Sequence, residues 1–126
     1  MTRVLMLEDD VAVAKVYARA LRLAECEVVA CTDFRQARMQ LTEQPDALLT
    51  DVRVGEFNGV QLALLFRSQN PEGALVVVSG HDDIVIRREI EKLGGVMLLK
   101  PTDLKELTRL LLATAQTQSI GQRAPS

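Results

Sequence analysis

Five short, unbroken apolar runs recur along the chain, and longer stretches with helical spacing separate them. Apolar runs without polar alternation predict parallel strands that are covered on both faces. The strict alternation of strand and helix predicts an α/β fold, in which one open parallel sheet lies between two layers of helices. The runs that predict the strands are residues 4–7, 28–31, 47–49, 74–78 and 96–99.

Between these runs, apolar residues three and four positions apart predict amphipathic helices. Val16 and Tyr17 belong to the predicted buried stripe of the first helix. Leu65 and Phe66 belong to the predicted buried stripe of the third helix. The Leu-rich stripe of the last helix predicts core packing rather than a cofactor site.

Acidic and glycine residues mark the predicted helix ends. Asp10 and Asp33 stand just before the first two helices, where a carboxylate can accept hydrogen bonds from free backbone N–H groups. We therefore interpret Asp10 as a helix cap before we consider it as a ligand. Gly94 and Gly95 are expected to end the fourth helix.

The length of 126 residues suits one domain. Residues 117–126 are polar with Gly and Pro, so we expect a domain over 1–116 followed by a disordered tail. A net charge of −2 and 3% aromatic residues argue against nucleic-acid and membrane partners. No apolar run reaches the ~18–20 residues of a membrane span, and Cys26 and Cys31 are expected to be free thiols in the cytoplasm.

Polar side chains follow four of the five predicted strands. In an open α/β sheet, ligands bind outside the carboxyl ends of the strands, near the point where strand order reverses. We therefore expect these side chains to meet in one cleft. They are Glu8, Asp9 and Asp10 after the first strand, Asp51 after the third, Ser79 after the fourth and Lys100 after the fifth.

Several carboxylates in one cleft require a cation, since two unit charges ~4 Å apart repel by about 4 kcal/mol at an effective dielectric near 20. All-oxygen ligands with open positions suit Mg²⁺. An Asp beside such an ion can attack phosphorus and form an aspartyl phosphate, and we expect Asp51 to do so. The Ser79 hydroxyl and the Lys100 ammonium are then expected to meet the phosphoryl oxygens.

These residues carry a resemblance to a known family. The chain resembles the CheY-like receiver domains of two-component response regulators, in the family's order and spacing over nearly its whole length. The resemblance implies a flavodoxin-like (βα)5 three-layer sandwich with a parallel five-stranded sheet of order 2-1-3-4-5. The motifs are VLMLEDD at 4–10, PDALLTDVR at 45–53, Gly59, VVVSG at 76–80 and Lys100-Pro101.

The resemblance also implies a role for each site residue. It implies that the Lys100–Pro101 peptide bond is cis, and that the side chains of Arg53 and His81 tune autodephosphorylation. The remaining roles are Glu8 and Asp9 as the acidic pair that positions Mg²⁺, Asp51 as phosphoacceptor, Arg53 as a backbone-carbonyl metal ligand, Ser79 as switch hydroxyl and Lys100 as phosphate-binding lysine.

We expect a single-domain response regulator that receives a phosphoryl group on Asp51 from a histidine kinase or a histidine phosphotransfer protein. Its output would be contact with an unknown downstream protein. It would not be an enzyme acting on a separate substrate, although it would catalyse its own phosphotransfer and dephosphorylation.

Three alternatives are open. The first is a phosphate sink or relay intermediate without output of its own. The second is a Mg²⁺-dependent phosphohydrolase with an Asp nucleophile, which usually requires a second acid where this chain has Arg53. The third is a degenerate receiver kept for binding only, against which the intact Asp51 and Lys100 argue.

Three positions depart from the family pattern, and one of them is Thr102, which replaces a frequent Phe after Lys100-Pro101. Met97 stands where receivers usually have the Tyr or Phe that moves inward with the switch hydroxyl, and Gly55 stands where a proline is common. We hypothesise that output here does not use an aromatic rotamer switch, and that the loop after Asp51 is looser. A phosphorylated structure in which Met97 flips together with Ser79 would contradict the first idea.

Overall fold

The computed structural model describes residues 1–55 and 57–112, without the side chains of residues 57 and 58. The predicted domain end at residue 116 and the predicted tail over 117–126 lie outside these described residues. Five parallel strands form one sheet in the order β2-β1-β3-β4-β5, which confirms the predicted strand order. The strands are β1 Arg3–Leu7, β2 Glu27–Cys31, β3 Ala47–Asp51, β4 Ala74–Ser79 and β5 Val96–Leu99.

Helices follow the strands in the predicted alternation. They are α1 Val11–Leu23, α2 Phe34–Gln40, α3 Gly59–Gln69, α4 Ile84–Lys92 and α5, which is helical over the described residues 104–112. A 3₁₀ turn, Leu41–Glu43, extends α2. A short antiparallel ladder between Arg53–Val54 and Phe57–Asn58 follows β3, and the apolar pattern did not predict it.

Aspartates cap four of the helices, and Asp103 caps α5 by accepting from the N–H groups of Lys105 and Glu106. Asp10 accepts hydrogen bonds from the N–H groups of Ala12 and Val13, at 3.0 and 3.2 Å. Asp33 caps α2 in the same way, so both predicted caps are confirmed. Asp83 begins α4, which the sequence interpretation had missed. Each cap satisfies N–H groups that the first turn of a helix leaves free.

The core lies in two layers, one on each face of the sheet. Leu5 and Leu7 of β1 point into the layer formed with α2, α3 and α4. Val4 and Met6 point into the opposite layer, formed with α1 and α5. This alternation follows from the pleat of a strand, which sends successive side chains to opposite faces. Both faces of β1 are therefore buried, as its unbroken apolar run predicted.

Two stripe residues are not buried as predicted. Val16 is 50% exposed, because its neighbour Tyr17 fills the space against the sheet. Leu65 is 38% exposed, because Phe66 and Leu62 occupy the buried side of α3. Adjacent residues on a helix point about 100° apart, so only one of each pair can face the core directly.

The prediction that all strands are covered on both faces is also wrong at the sheet edges. Ala30 in β2 and Leu99 in β5 are exposed. Both strands have a neighbour on one side only, so the helix layers leave part of them in solvent. The central strands β1, β3 and β4 keep the buried character that the prediction assumed.

Candidate functional site

The carboxyl ends of the central strands bring three acids together. Glu8 and Asp9 follow β1, and Asp51 is the last residue of β3. One carboxylate oxygen from each of the three lies within 4.8 Å of the others. The strand order reverses between β1 and β3, so the cluster lies where ligands bind in open α/β sheets. Asp10 is outside this cluster and serves as the cap of α1.

Lys100 lies between two of these acids. Its ammonium donates hydrogen bonds to Oε1 of Glu8 at 3.0 Å and to Oδ2 of Asp51 at 2.9 Å. Burial by itself lowers the pKa of Lys100, but the hydrogen bonds and negative charges of Asp51 and Glu8 outweigh burial and leave that pKa above its usual value. The ammonium is therefore firmly charged and partly neutralises the cluster.

Glu8 is the deepest member of the cluster and is only 2% exposed. Burial raises the pKa of the Glu8 carboxyl, although the hydrogen bonds from Lys100 and from the Asp10 backbone oppose the rise. Its second oxygen, Oε2, accepts from the Asp10 N–H at 3.2 Å. Both Glu8 oxygens thus have donors, and a bound cation would share these oxygens with them.

The backbone of β5 places Lys100 in the site. The Lys100 N–H donates to the Ser79 carbonyl at 2.8 Å, which continues the pairing of β4 with β5 by one residue. The Lys100–Pro101 peptide bond is cis, as the family resemblance implied.

Gly59 packs against the backbone of the strand end that carries Asp51. A Cβ atom at residue 59 would collide with the Asp51 carbonyl oxygen and lie 2.9 Å from Oγ1 of Thr50. The Gly59 N–H also donates to the Val52 carbonyl. The missing side chain therefore allows the start of α3 to lie directly against the end of β3.

Ser79 lies across a small cleft from Asp51. Its hydroxyl donates to the His81 carbonyl at 2.7 Å and accepts from the His81 N–H at 3.1 Å. Asp51, Arg53, Ser79 and His81 line this cleft, which has a volume of about 90 Å³. The structure therefore brings all four residues together on one side of the acidic cluster. Metal binding by the Arg53 carbonyl stays a prediction.

Met97 is buried at 2% exposure and packs in the layer with α3 and α4. Its side chain already points inward in this structure. The hypothesis that output here does not use an aromatic rotamer switch stays a prediction. Gly55 has a φ of 60°, which favours glycine over the proline usual in the family, because proline fixes φ near −65°.

Sequence reasoning missed two features of the site. The hydroxyl of the fully buried Thr50 donates to the Asp51 carbonyl at 2.9 Å, and a hydroxyl directly after the apolar run 47–49 was a usable signal. The ion pair of Lys100 with Glu8 joins residues 92 positions apart, and no local pattern could have predicted it.

Comparison with known proteins identifies the family. The family model for the response regulator receiver domain matches residues 4–112. The chain is 29% identical to the transcriptional regulatory protein ZraR of Escherichia coli over 98% of this chain and 29% of that protein. It is 29% identical to the photosynthetic apparatus regulatory protein RegA of Rhodobacter capsulatus over 89% of this chain and 62% of that protein. The chain thus spans less than two thirds of either relative.

Solved structures agree on the fold. A receiver domain from Clostridium thermocellum superposes with a TM-score of 0.85 at 17% identity, over 95% of this chain and 98% of that one. A CheY-like receiver domain from Methanospirillum hungatei gives a TM-score of 0.87 at 16% identity, over 96% and 98%. Among the described residues, no helix is long and apolar enough to cross a membrane.

Proposed function

The chain belongs to the response regulator receiver domain family, and from this premise we propose that Asp51 accepts a phosphoryl group. One observation carries the proposal: the Asp51 carboxylate lies 2.9 Å from the Lys100 ammonium and within 4.8 Å of oxygens of Glu8 and Asp9. A carboxylate held beside cationic groups is a suitable nucleophile toward phosphorus. The chain itself would be the acceptor, and it would not act as an enzyme on a separate substrate.

We propose Mg²⁺ as the cation of this site. The donor set fits the ion, because Glu8, Asp9 and Asp51 offer three carboxylates at one place and Mg²⁺ prefers oxygen ligands. The Arg53 backbone carbonyl is proposed as a further ligand. A bound Mg²⁺ would supply charge neutralisation and orientation for a phosphoryl group.

The proposed ligands include Asp9 but not its neighbour Asp10, so the two residues should respond differently to substitution. Asp9→Asn should weaken the stabilisation by Mg²⁺, because the variant loses one negative charge and one carboxylate from the cluster. Asp10→Asn should keep it, because Asn caps a helix as well as Asp does and Asp10 lies outside the cluster. Thermal unfolding with and without Mg²⁺ measures this, and a Mg²⁺ concentration roughly 100-fold above the Kd should stabilise the wild type by about 3 kcal/mol.

Asp9 is exposed, so its substitution disturbs no packed core and the variant should differ from the wild type only at the proposed metal site. Equal responses of the two variants to Mg²⁺ would contradict the assignment. Loss of the stabilisation by Mg²⁺ in Asp10→Asn alone would show that Asp10, and not Asp9, is the ligand.

The remaining residues act on the phosphoryl group. We propose that the Lys100 ammonium pairs with one phosphoryl oxygen and that the Ser79 hydroxyl donates to another. Phosphoryl transfer to Asp51 forms the carboxylate O–P bond as the bond from phosphorus to the donor's leaving group breaks. Positioning and charge neutralisation are the means of catalysis in this chemistry. Ser79 must give up its hydrogen bond to the His81 carbonyl to reach the phosphoryl group.

Labelling with a small phosphodonor tests the proposed function. Acetyl phosphate with Mg²⁺ should add one phosphoryl group to the wild-type chain, and Asp51→Asn should reduce the label to background, because an amide is not a nucleophile toward phosphorus. Intact-mass spectrometry measures both. Asp46→Asn is the matched control, since Asp46 precedes the same strand and binds the Arg3 backbone outside the site. Full labelling of Asp51→Asn would contradict the proposal.

The phosphoryl source and the output are proposed on chemical grounds. We propose a histidine kinase or a histidine phosphotransfer protein as donor, and contact with a downstream protein as output. Residues 1–116 are proposed as the receiver domain. Pull-down with the labelled and unlabelled chain separates output from relay: phosphorylation-dependent binding of a non-donor protein supports output, and rapid return of the phosphoryl group to a histidine donor without such binding supports a relay.

A further inference from the structure

Arg87 connects the loop before α4 to strand β5, and it takes no part in the proposed phosphorylation site. It lies on α4, and its guanidinium donates to Oδ1 of Asp82 through Nε at 3.1 Å and through a terminal nitrogen at 3.0 Å. Its other terminal nitrogen donates to the Met97 carbonyl at 3.2 Å. One side chain therefore joins the loop before α4 to strand β5. The planar guanidinium has several N–H donors in fixed directions, so it can make these contacts at the same time. A lysine ammonium concentrates its donors on one nitrogen and cannot reach both partners in this way.

Asp82 belongs to the loop that Ser79 holds. The Ser79 hydroxyl makes hydrogen bonds to the carbonyl and the N–H of His81, the residue just before Asp82. Asp83, the residue just after, caps α4 with its side chain. A change in the partner of the Ser79 hydroxyl therefore acts on a segment that is tied directly to α4.

The contact between Arg87 and Met97 matters because Met97 occupies the position at which receivers usually carry an aromatic residue. The side chain of Met97 is buried in the core, and its backbone carbonyl is held by Arg87. Because the Met97 thioether already lies in the core, it has no outward position from which to move inward with the Ser79 hydroxyl. Any coupling between the site and the strand at residue 97 must then pass through the backbone or through a neighbour that contacts it, and Arg87 is such a neighbour.

We propose that Arg87 is a positioning residue that couples the phosphorylation state of Asp51 to α4 and β5, through its paired contacts with Asp82 and the Met97 carbonyl. The proposal rests on the proposed function of Asp51. When the Ser79 hydroxyl turns to a phosphoryl oxygen, the His81 carbonyl loses one of its two donors and keeps only the Asp83 N–H at 3.1 Å, so the 80–83 loop moves. Asp82 moves with this loop, so Arg87 cannot keep both contacts and the first turn of α4 loosens from β5.

Amide hydrogen exchange of α4 tests the coupling. The probe is beryllofluoride with Mg²⁺, a stable mimic of a phosphoryl group on a carboxylate. In the wild type, the mimic should speed exchange in the first turn of α4. In Arg87→Gln, exchange there should already be fast without the mimic, and the mimic-induced change should be lost. A merely structural role would leave that mimic-induced change in place.

Three further variants complete the design. Arg88→Gln alters the exposed neighbouring arginine and should respond to beryllofluoride as the wild type does. Asp82→Asn removes the carboxylate partner at an exposed position, so it should fold and should lose the mimic-induced change as Arg87→Gln does. Arg87→Lys keeps the charge without the fork and should also lose it.

The outcomes separate the coupling from the proposed function. Fluorine NMR reports whether beryllofluoride binds at all, and absence of binding to the wild type would contradict the role of Asp51 itself. Binding with a wild-type exchange response in Arg87→Gln and Asp82→Asn would contradict the coupling alone. Binding to the wild type without any change of exchange in α4 would also contradict the coupling.

Discussion

Lys100→Met is expected to destabilise the protein by about 2 kcal/mol in the absence of divalent cations. Removing one partner of a buried ion pair costs about 3–5 kcal/mol, because the remaining charge is left uncompensated in the interior. We use a lower value, because the Lys100 side chain is 30% exposed and solvent screens part of its charge. Methionine keeps the aliphatic stem of the side chain, so the change isolates the loss of the ammonium.

Magnesium should recover much of this loss, because the ion neutralises the same acids. Urea unfolding in chelator and in excess Mg²⁺ measures both effects. The exposed Lys105 offers a matched control, and Lys105→Met should stay within about 0.5 kcal/mol of the wild type. A Lys100→Met protein that is as stable as the wild type in chelator would show that the ammonium does not compensate Glu8 and Asp51.

Gly59→Ala is expected to destabilise the protein by about 2–3 kcal/mol, as overpacking of a rigid contact does. The added methyl group would collide with the carbonyl oxygen of Asp51, a backbone atom that cannot rotate away. The strand end must therefore shift, and the Asp51 carboxylate must shift with it. Phosphoryl labelling by acetyl phosphate should fall together with the free energy of unfolding.

Gly80→Ala is the control for stability. A Cβ atom at Gly80 would meet no other atom within 4 Å, so its free energy of unfolding should stay within about 0.5 kcal/mol of the wild type. Equal stability of the two alanine variants would contradict the close approach of α3 to β3.

The central strands were predictable from the sequence, because a strand that is buried on both faces needs apolar residues at every position. Strands β1, β3 and β4 are covered by helix layers on both sides, so their residues form unbroken apolar runs. The edges were less predictable. Nothing in the run containing Ala30 reveals that β2 has a neighbour on one side only.

The acids of the site were predictable for a related reason. Parallel strands of one sheet end at the same edge, so Glu8, Asp9 and Asp51 had to lie near one another once the strands were assigned. The partners of these acids were not predictable in the same way. The contact of Lys100 with Glu8 and the fork of Arg87 depend on side-chain geometry between distant segments, which periodicity does not record.

Borohydride reduction of the phosphorylated chain tests the role of Asp51 most directly. An aspartyl phosphate is an acyl phosphate, which borohydride reduces to a primary alcohol with release of phosphate. The aspartate is thereby converted to homoserine, and peptide mass spectrometry locates the altered residue. We expect homoserine at residue 51 after treatment with acetyl phosphate and Mg²⁺. Homoserine at Asp9 or Asp10, or a phosphate that stays on Ser79 or His81, would contradict the assignment of Asp51 as phosphoacceptor.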